Sequence, residues 1–119
     1  MKPLNSPDPV KWVDKKHGSV WNELDGTWVY EDTAGNVVRY PGGYPDFESA
    51  GLVRQSVDIK VRGNHTTDFT DADAAAHLGP KLDTNTWHHH ENVTTMQEID
   101  RKVHRRFTHR GGVSIKRGN

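Results

Sequence analysis

Five of the eight histidines lie in one short stretch, TWHHHENVTTMQEIDRKVHRRFTH, which spans residues 86–109. Its pattern predicts a strand over about 86–91, a turn around Asn92 and a second strand over about 95–99. A basic helix is predicted next, over about 100–107, because an acidic residue stands at its start and basic residues stand toward its end. A ββα unit with histidines on its first strand and at the end of its helix can hold one divalent metal ion between hairpin and helix.

The absence of cysteine limits how this chain of 119 residues can be stabilised. It excludes disulfides and cysteine-based zinc sites, so that any metal ligands must be histidines or carboxylates. Hydrophobic residues make up only 32% of the sequence, but four Trp, three Tyr and three Phe are too many for a disordered chain. We therefore expect one domain with a small aromatic core.

The net charge of zero hides an asymmetry between the two parts of the chain. Residues 1–80 carry eight basic and twelve acidic side chains, whereas residues 81–119 carry eight basic and four acidic ones. The part that contains the histidine cluster is therefore the basic one, and an anionic ligand would bind there with an affinity that falls as salt increases. Ordinary scatter of charges over a solvated surface remains the alternative.

The rest of the sequence predicts an α+β domain. Residues 1–25 contain prolines and turn formers without sustained periodicity, which is typical of an entry segment or of a linker from a longer parent. The domain is therefore expected over 26–119. TWVYEDTAGNVVRY predicts a β-hairpin that turns at Ala34–Asn36, and alternation over 57–61 predicts a strand. TTDFTDADAAAHLGP predicts a short helix that Thr67 or Thr70 can cap, with acidic residues in its first turn. Gly79-Pro80 would stop this helix, and His77 would lie late in it.

The motifs of the histidine-rich part resemble those of a known nuclease family. TWHHH is followed by TMQ, by a further histidine and, five residues later, by HRGGVS. This combination is similar to the Trp-His-His family of the HNH/endonuclease VII (His-Me finger) superfamily. The members of this family are nuclease domains at the C-termini of bacterial polymorphic toxins. It also resembles, more distantly, the nuclease colicins. The resemblance covers about residues 26–117, and its specific part is 86–114; Glu98 to Asp100 stand where the family often has Leu-Val-Pro.

The resemblance implies roles for the individual histidines. His88, His104 and His109 would bind one divalent metal ion, such as Zn, Mg, Ni or Mn, and His89 would be the general base that takes a proton from the attacking water. His90 has no fixed role in the family pattern. The neighbouring Arg105 and Arg106 could bind phosphate oxygens, or they could belong to a solvated basic helix face.

Elementary geometry leaves alternatives open. In a regular strand, His88 and His90 share one face and His89 points to the other, so His88 and His90 form a rival pair of ligands. His104 and His109 are five residues apart, roughly 140° around a helix, and His109 must therefore lie beyond the helix end. A closed structural zinc site, with His90 or Glu91 as a fourth ligand, is a further alternative.

The resemblance also implies a biological setting. The expected function is metal-dependent endonuclease activity, with DNA favoured over RNA, in the C-terminal toxin domain of an effector used in competition between bacteria. A cognate immunity protein would be its partner, and the effector would act in the cytoplasm of the target cell. No apolar run has the length of a membrane span, and residues 1–5 lack a signal sequence, so export would depend on a larger protein. A catalytically inert, metal-stabilised module that binds nucleic acid or a protein is the alternative.

Overall fold

The computed structural model describes residues 7–107 and has the expected α+β class. The chain divides into two compact units. The first contains the described residues up to Gly51 together with Phe107, and the second contains Leu52–Arg106. Within the described range, no helix is both long enough and apolar enough to cross a membrane.

The first unit is a three-stranded antiparallel sheet preceded by a short helix. The carboxylate of Asp8 caps this helix by accepting hydrogen bonds from the backbone N–H groups of Val10 and Lys11. The strands follow one another in the order of the chain. The elements are α1 (Pro9–Asp14), β1 (Gly18–Asn22), β2 (Trp28–Asp32) and β3 (Val37–Tyr40), and a short 3-10 turn follows at Pro41–Gly43.

The hairpin predicted around Ala34–Asn36 is confirmed as the pairing of β2 with β3. The Asp32 carboxylate closes its turn by accepting hydrogen bonds from the backbone of Ala34 and from the backbone and side chain of Asn36. By contrast, the sequence does not predict α1 and β1, because both lie in the segment 1–25, whose pattern indicates an entry segment or a linker. A helix of six residues is too short to show a period, and β1 is mostly exposed, so neither leaves a hydrophobic pattern.

The core of the first unit is aromatic, as the composition suggested. Trp12 is 2% exposed, and its ring centroid lies 5.2 Å from those of both Tyr30 and Phe107. Tyr30 also packs edge-on against Tyr40 at 5.2 Å, and the Tyr30 hydroxyl donates to the carbonyl of Pro7. Burial raises the pKa of Tyr40 well above its ordinary value, which keeps this phenol neutral in the core.

The second unit contains the histidine cluster. Its three strands form an antiparallel sheet in which the last of the described strands lies in the middle, between the other two. The predicted strand, short helix and ββα unit are all confirmed in this order. The elements are β4 (Gln55–Asp58), α2 (His65–Ala75), β5 (Asn85–His89), β6 (Thr95–Asp100) and α3 (Arg101–Arg106).

Three boundaries in this unit differ from the prediction. β4 ends at Asp58, although the alternation continues through Ile59 and Val61. Helix α2 begins before the expected caps, because the Asn64 side chain accepts the backbone N–H of Thr67. The helix ends at Ala75, so that His77 lies beyond it rather than in its last turn.

The register of β5 and β6 divides their side chains between two faces of the sheet. His88 lies opposite Gln97, and His89 lies opposite Met96. The face that carries Trp87 and His89 packs against α2, since Trp87 Nε1 donates to Asp73 of that helix. The buried core on this face also contains Val57, Val61, Ala72 and Met96. The face that carries His88 meets α3.

Candidate functional site

Two of the predicted metal ligands meet between β5 and α3. Nδ1 of His88 lies 3.3 Å from Nε2 of His104, and His88 is 1% exposed. Zinc–nitrogen bonds of about 2.0–2.1 Å at tetrahedral angles place neighbouring ligand nitrogens about 3.3 Å apart. The two imidazoles therefore fit as neighbouring ligands of one ion. In the metal-free protein the same separation allows one ring to donate a hydrogen bond to the other.

The start of α3 explains why His104 reaches His88. The Asp100 carboxylate, at the end of β6, accepts the backbone N–H groups of Lys102 and Val103, so the helix begins with no loop after the strand. Arg101 holds the start of α3 against the residues just before β5. Its backbone N–H donates to the carbonyl of Thr84, and its guanidinium donates to the carbonyl of Asp83. The expected acidic start of the helix is thus confirmed, and the six-residue helix brings His104 back over β5.

The third predicted ligand, His109, lies outside the described residues. Within residues 7–107 no group of three or more His, Cys, Asp or Glu side chains has a geometry that could hold a metal ion. The expected three-ligand site with His109 therefore stays a prediction.

The rival ligand His90 has other contacts. Its Nδ1 accepts a hydrogen bond from the backbone N–H of Asn92, and its Nε2 lies 3.3 Å from Oε1 of Glu91. The Asn92 side chain closes the same turn by accepting the backbone N–H groups of Thr94 and Thr95. In this structure His90 helps to build the turn between β5 and β6.

His89, the predicted base, binds a carboxylate on the other face of the sheet. Its Nε2 lies 3.0 Å from Oδ2 of Asp68 in α2, and both side chains are buried. The ring packs against those of His65 and Phe69, with centroids at 5.2 and 6.0 Å. His89 is the last residue of β5, so it stands at the end of the strand.

Asp68 is held as a carboxylate in spite of its burial. Burial acts to raise the pKa of Asp68, but the hydrogen bond from the backbone N–H of Arg62, at 2.9 Å, and the contact with His89 outweigh it. The pKa of Asp68 therefore lies below its ordinary value. An ionised carboxylate accepts hydrogen bonds only, so it favours a proton on the Nε2 atom of His89.

A second buried carboxylate, Glu98, was not singled out by the sequence. Glu98 is fully buried and accepts four hydrogen bonds, one of them from the Arg54 guanidinium at 2.8 Å. The other donors are the side chains of Gln55 and Asn85 and the backbone of Leu82. Burial opposes ionisation, but these donors hold the pKa of Glu98 below its ordinary value. The network connects β4, β5 and β6.

Other residues of the motif are accounted for by packing. Trp87 and Met96 are 1% and 0% exposed, which confirms that they belong to the core. Gln97 is 3% exposed and lies opposite His88, and its Oε1 has no hydrogen-bond partner among the described residues. On α3, Arg105 is exposed and Arg106 is half-buried. Their predicted contact with phosphate stays a prediction.

Comparison with known proteins relates most of this chain to a family. Residues 37–111 match a family model described as the DNase/tRNase domain of colicin-like bacteriocin. The match includes β3, the described part of the second unit and the histidines from His65 to His109. A search of curated proteins found no match.

Proposed function

Because this chain belongs to the family of DNase/tRNase domains of colicin-like bacteriocins, we propose that it is a metal-dependent endonuclease that hydrolyses phosphodiester bonds in DNA. The contact between His88 and His104 is the observation that carries the proposal. It joins the first strand and the helix of the ββα unit through two imidazole nitrogens, at a separation suited to neighbouring ligands of one ion. The motifs over residues 86–114 further favour the Trp-His-His branch of HNH nucleases.

We assign the metal to His88, His104 and His109. A divalent ion held there would stabilise, as a Lewis acid, the negative charge that gathers on the phosphate and on the leaving oxygen. His89 takes the proton from the attacking water, whose oxygen forms a new bond to phosphorus while the bond from phosphorus to the leaving oxygen breaks. Since His89 is the last residue of β5, the scissile phosphate would lie at this end of the strand.

The basic residues around the site would bind the substrate backbone. Arg105 and Arg106 follow His104 directly on α3, and a guanidinium can bind two phosphate oxygens at once. These contacts would position the nucleic-acid strand without distinguishing its base sequence. They would also account for binding by a chain whose overall net charge is zero.

The proposed biological role is that of a bacterial toxin. The nuclease would be delivered as part of a larger exported effector and would cut nucleic acid in the cytoplasm of a target cell. A producing cell would need a cognate immunity protein that binds this domain.

Cleavage assays test the proposal directly. Purified protein is incubated with supercoiled plasmid and, separately, with tRNA, in the presence of Mg²⁺, Mn²⁺, Ni²⁺ or Zn²⁺ and in EDTA. We expect metal-dependent nicking of the plasmid and its loss in His88→Ala and His104→Ala. His77→Ala, which changes an exposed histidine beyond the end of α2, is the matched control. Cleavage of tRNA alone would overturn the choice of DNA.

The alternative of a catalytically inert, metal-stabilised module predicts a different result for the same purified protein. If the metal stabilised the fold without supporting chemistry, EDTA would lower the melting temperature while neither plasmid nor tRNA was cut with any metal. That outcome would replace the nuclease proposal.

A further inference from the structure

We propose that Asp68 is the positioning residue for His89: it selects the imidazole tautomer that carries its proton on Nε2 and leaves Nδ1 as the basic nitrogen. This inference rests on the proposed role of His89 as general base. The distance of 3.0 Å between Nε2 of His89 and Oδ2 of Asp68 carries it.

The surroundings of Asp68 fix its carboxylate before the histidine is considered. Its Oδ1 accepts the backbone N–H of Arg62 at 2.9 Å, and its own backbone N–H donates to Asn64 in the first turn of α2. Asp68 is 0% exposed. A buried acceptor held at two points cannot turn away from His89, so Oδ2 keeps a constant direction.

The surroundings of His89 restrict its ring in the same way. His65 and Phe69, both from α2, pack against the imidazole, and His89 is only 6% exposed. The ring is therefore positioned by packing from the helix that also provides Asp68. A neutral imidazole has one donor and one acceptor nitrogen, so a carboxylate on Nε2 makes Nδ1 the acceptor.

The hydrogen bond between Asp68 and His89 serves general-base catalysis as well as stability. A general base must present its lone pair to the water, and a ring with the wrong tautomer presents N–H instead. The carboxylate also stabilises the imidazolium that forms after proton transfer. Asp68 itself touches neither substrate nor metal and acts only through His89.

The test uses Asp68→Asn, which has nearly the same shape. The amide oxygen can still accept the N–H of Arg62, but its NH₂ group now faces Nε2 of His89 and can only donate. We therefore expect the His89 proton to move to Nδ1. Long-range ¹H–¹⁵N NMR spectra of ¹⁵N-histidine-labelled protein report the tautomer, and plasmid cleavage should fall by about 10²–10⁴-fold in kcat with little change in KM.

Asp73→Asn is the matched control on the same helix. Asp73 accepts hydrogen bonds from Trp87 Nε1 of β5 at 2.7 Å and from the backbone of Lys81 at 3.1 Å, which an amide oxygen can also accept. This variant should leave the His89 tautomer and kcat unchanged. Should Asp68→Asn be unfolded, Asp68→Glu is measured instead, and a conserved tautomer with partial activity is expected.

The readouts separate this inference from the function on which it rests. A wild-type ring protonated on Nδ1, or an Asp68→Asn ring that stays protonated on Nε2, overturns the positioning role whatever the cleavage assay shows. A wild-type protein with the expected tautomer but no cleavage of any nucleic acid overturns the nuclease proposal and leaves the Asp68–His89 pair as a structural contact.

Discussion

His88 and His89 are neighbours in the chain, but their imidazoles point to opposite faces of the same sheet. His88 contacts His104 of α3, and His89 contacts Asp68 of α2. The regular pairing of β5 with β6 through His89 requires this separation, because successive side chains of a strand alternate. Adjacent histidines can therefore have different functions, each set by the helix on its own face.

Single substitutions should separate these two functions. His88→Ala removes a proposed ligand, and we expect the affinity for a divalent ion to fall by about 100-fold or more. Mutation of a residue that only hydrogen-bonds to a metal ligand already lowers metal affinity by about 10–100-fold. His89→Ala should leave the metal affinity within about twofold and still lower the cleavage rate by about 10²–10⁴-fold. Isothermal titration calorimetry with Zn²⁺ measures the metal affinity, and plasmid nicking measures the cleavage rate. Equal cleavage by wild type and His89→Ala would show that the base is another group.

Metal binding should raise the thermal stability. An ion that binds only the folded protein contributes about 2.7 kcal/mol when its concentration is 100 times its dissociation constant. We expect the melting temperature to rise with added Zn²⁺ and to return on addition of EDTA. His104→Ala should abolish the rise, whereas His77→Ala should keep it. A similar rise in both variants would place the metal elsewhere.

The buried carboxylate Glu98 should make the protein sensitive to acid. Its pKa in the folded state lies below the ordinary value of 4.5, so the unfolded chain binds a proton first as the pH falls. The stabilisation is therefore complete above about pH 5 and is lost as the pH falls through the lower pKa of the folded state. Urea unfolding between pH 7 and pH 3 measures this loss.

Glu98→Gln tests the same network at neutral pH. The amide presents its NH₂ group to donors such as the Asn85 side chain and the Leu82 N–H, so a buried donor is left unsatisfied. We expect a loss of about 1–3 kcal/mol in the free energy of unfolding and a weaker dependence on acid pH. Glu23→Gln, which removes an exposed ion pair with Arg39, is the control and should change stability by less than about 1 kcal/mol.

Strain in the turn after β5 provides a further test. Val93 has φ of 58°, a left-handed conformation that is unfavourable for a β-branched residue. Asparagine tolerates this region, and we expect Val93→Asn to raise the free energy of unfolding by up to about 1 kcal/mol, as measured by urea denaturation. A loss of stability would mean that the contacts of the valine side chain outweigh the strain.

The elements that the sequence predicted are those marked by residues close together in the chain, such as turn formers and helix caps. The hairpin at Ala34–Asn36 and the turn at Asn92 have turn formers between β-rich runs, and Asp100 is a helix cap next to a strand. The contact between His89 and Asp68 has no such signal, because the two residues are 21 positions apart and meet only when α2 packs on the sheet. The same holds for Glu98, whose partner Gln55 is 43 positions away.

The proposed phosphate contact of Arg105 should appear in the salt dependence of DNA binding. Each phosphate contact that a cationic side chain makes contributes about −0.9 to the slope of log affinity against log salt concentration. In a cleavage-deficient His89→Ala background, Arg105→Gln should weaken binding to all DNA sequences alike and reduce the magnitude of the slope by about 0.9. Lys11→Gln, on the exposed side of α1, is the control and should leave the slope unchanged. An unchanged slope for Arg105→Gln would assign this residue to the solvated face of α3, and the basic character of residues 81–119 would then have to act through other side chains.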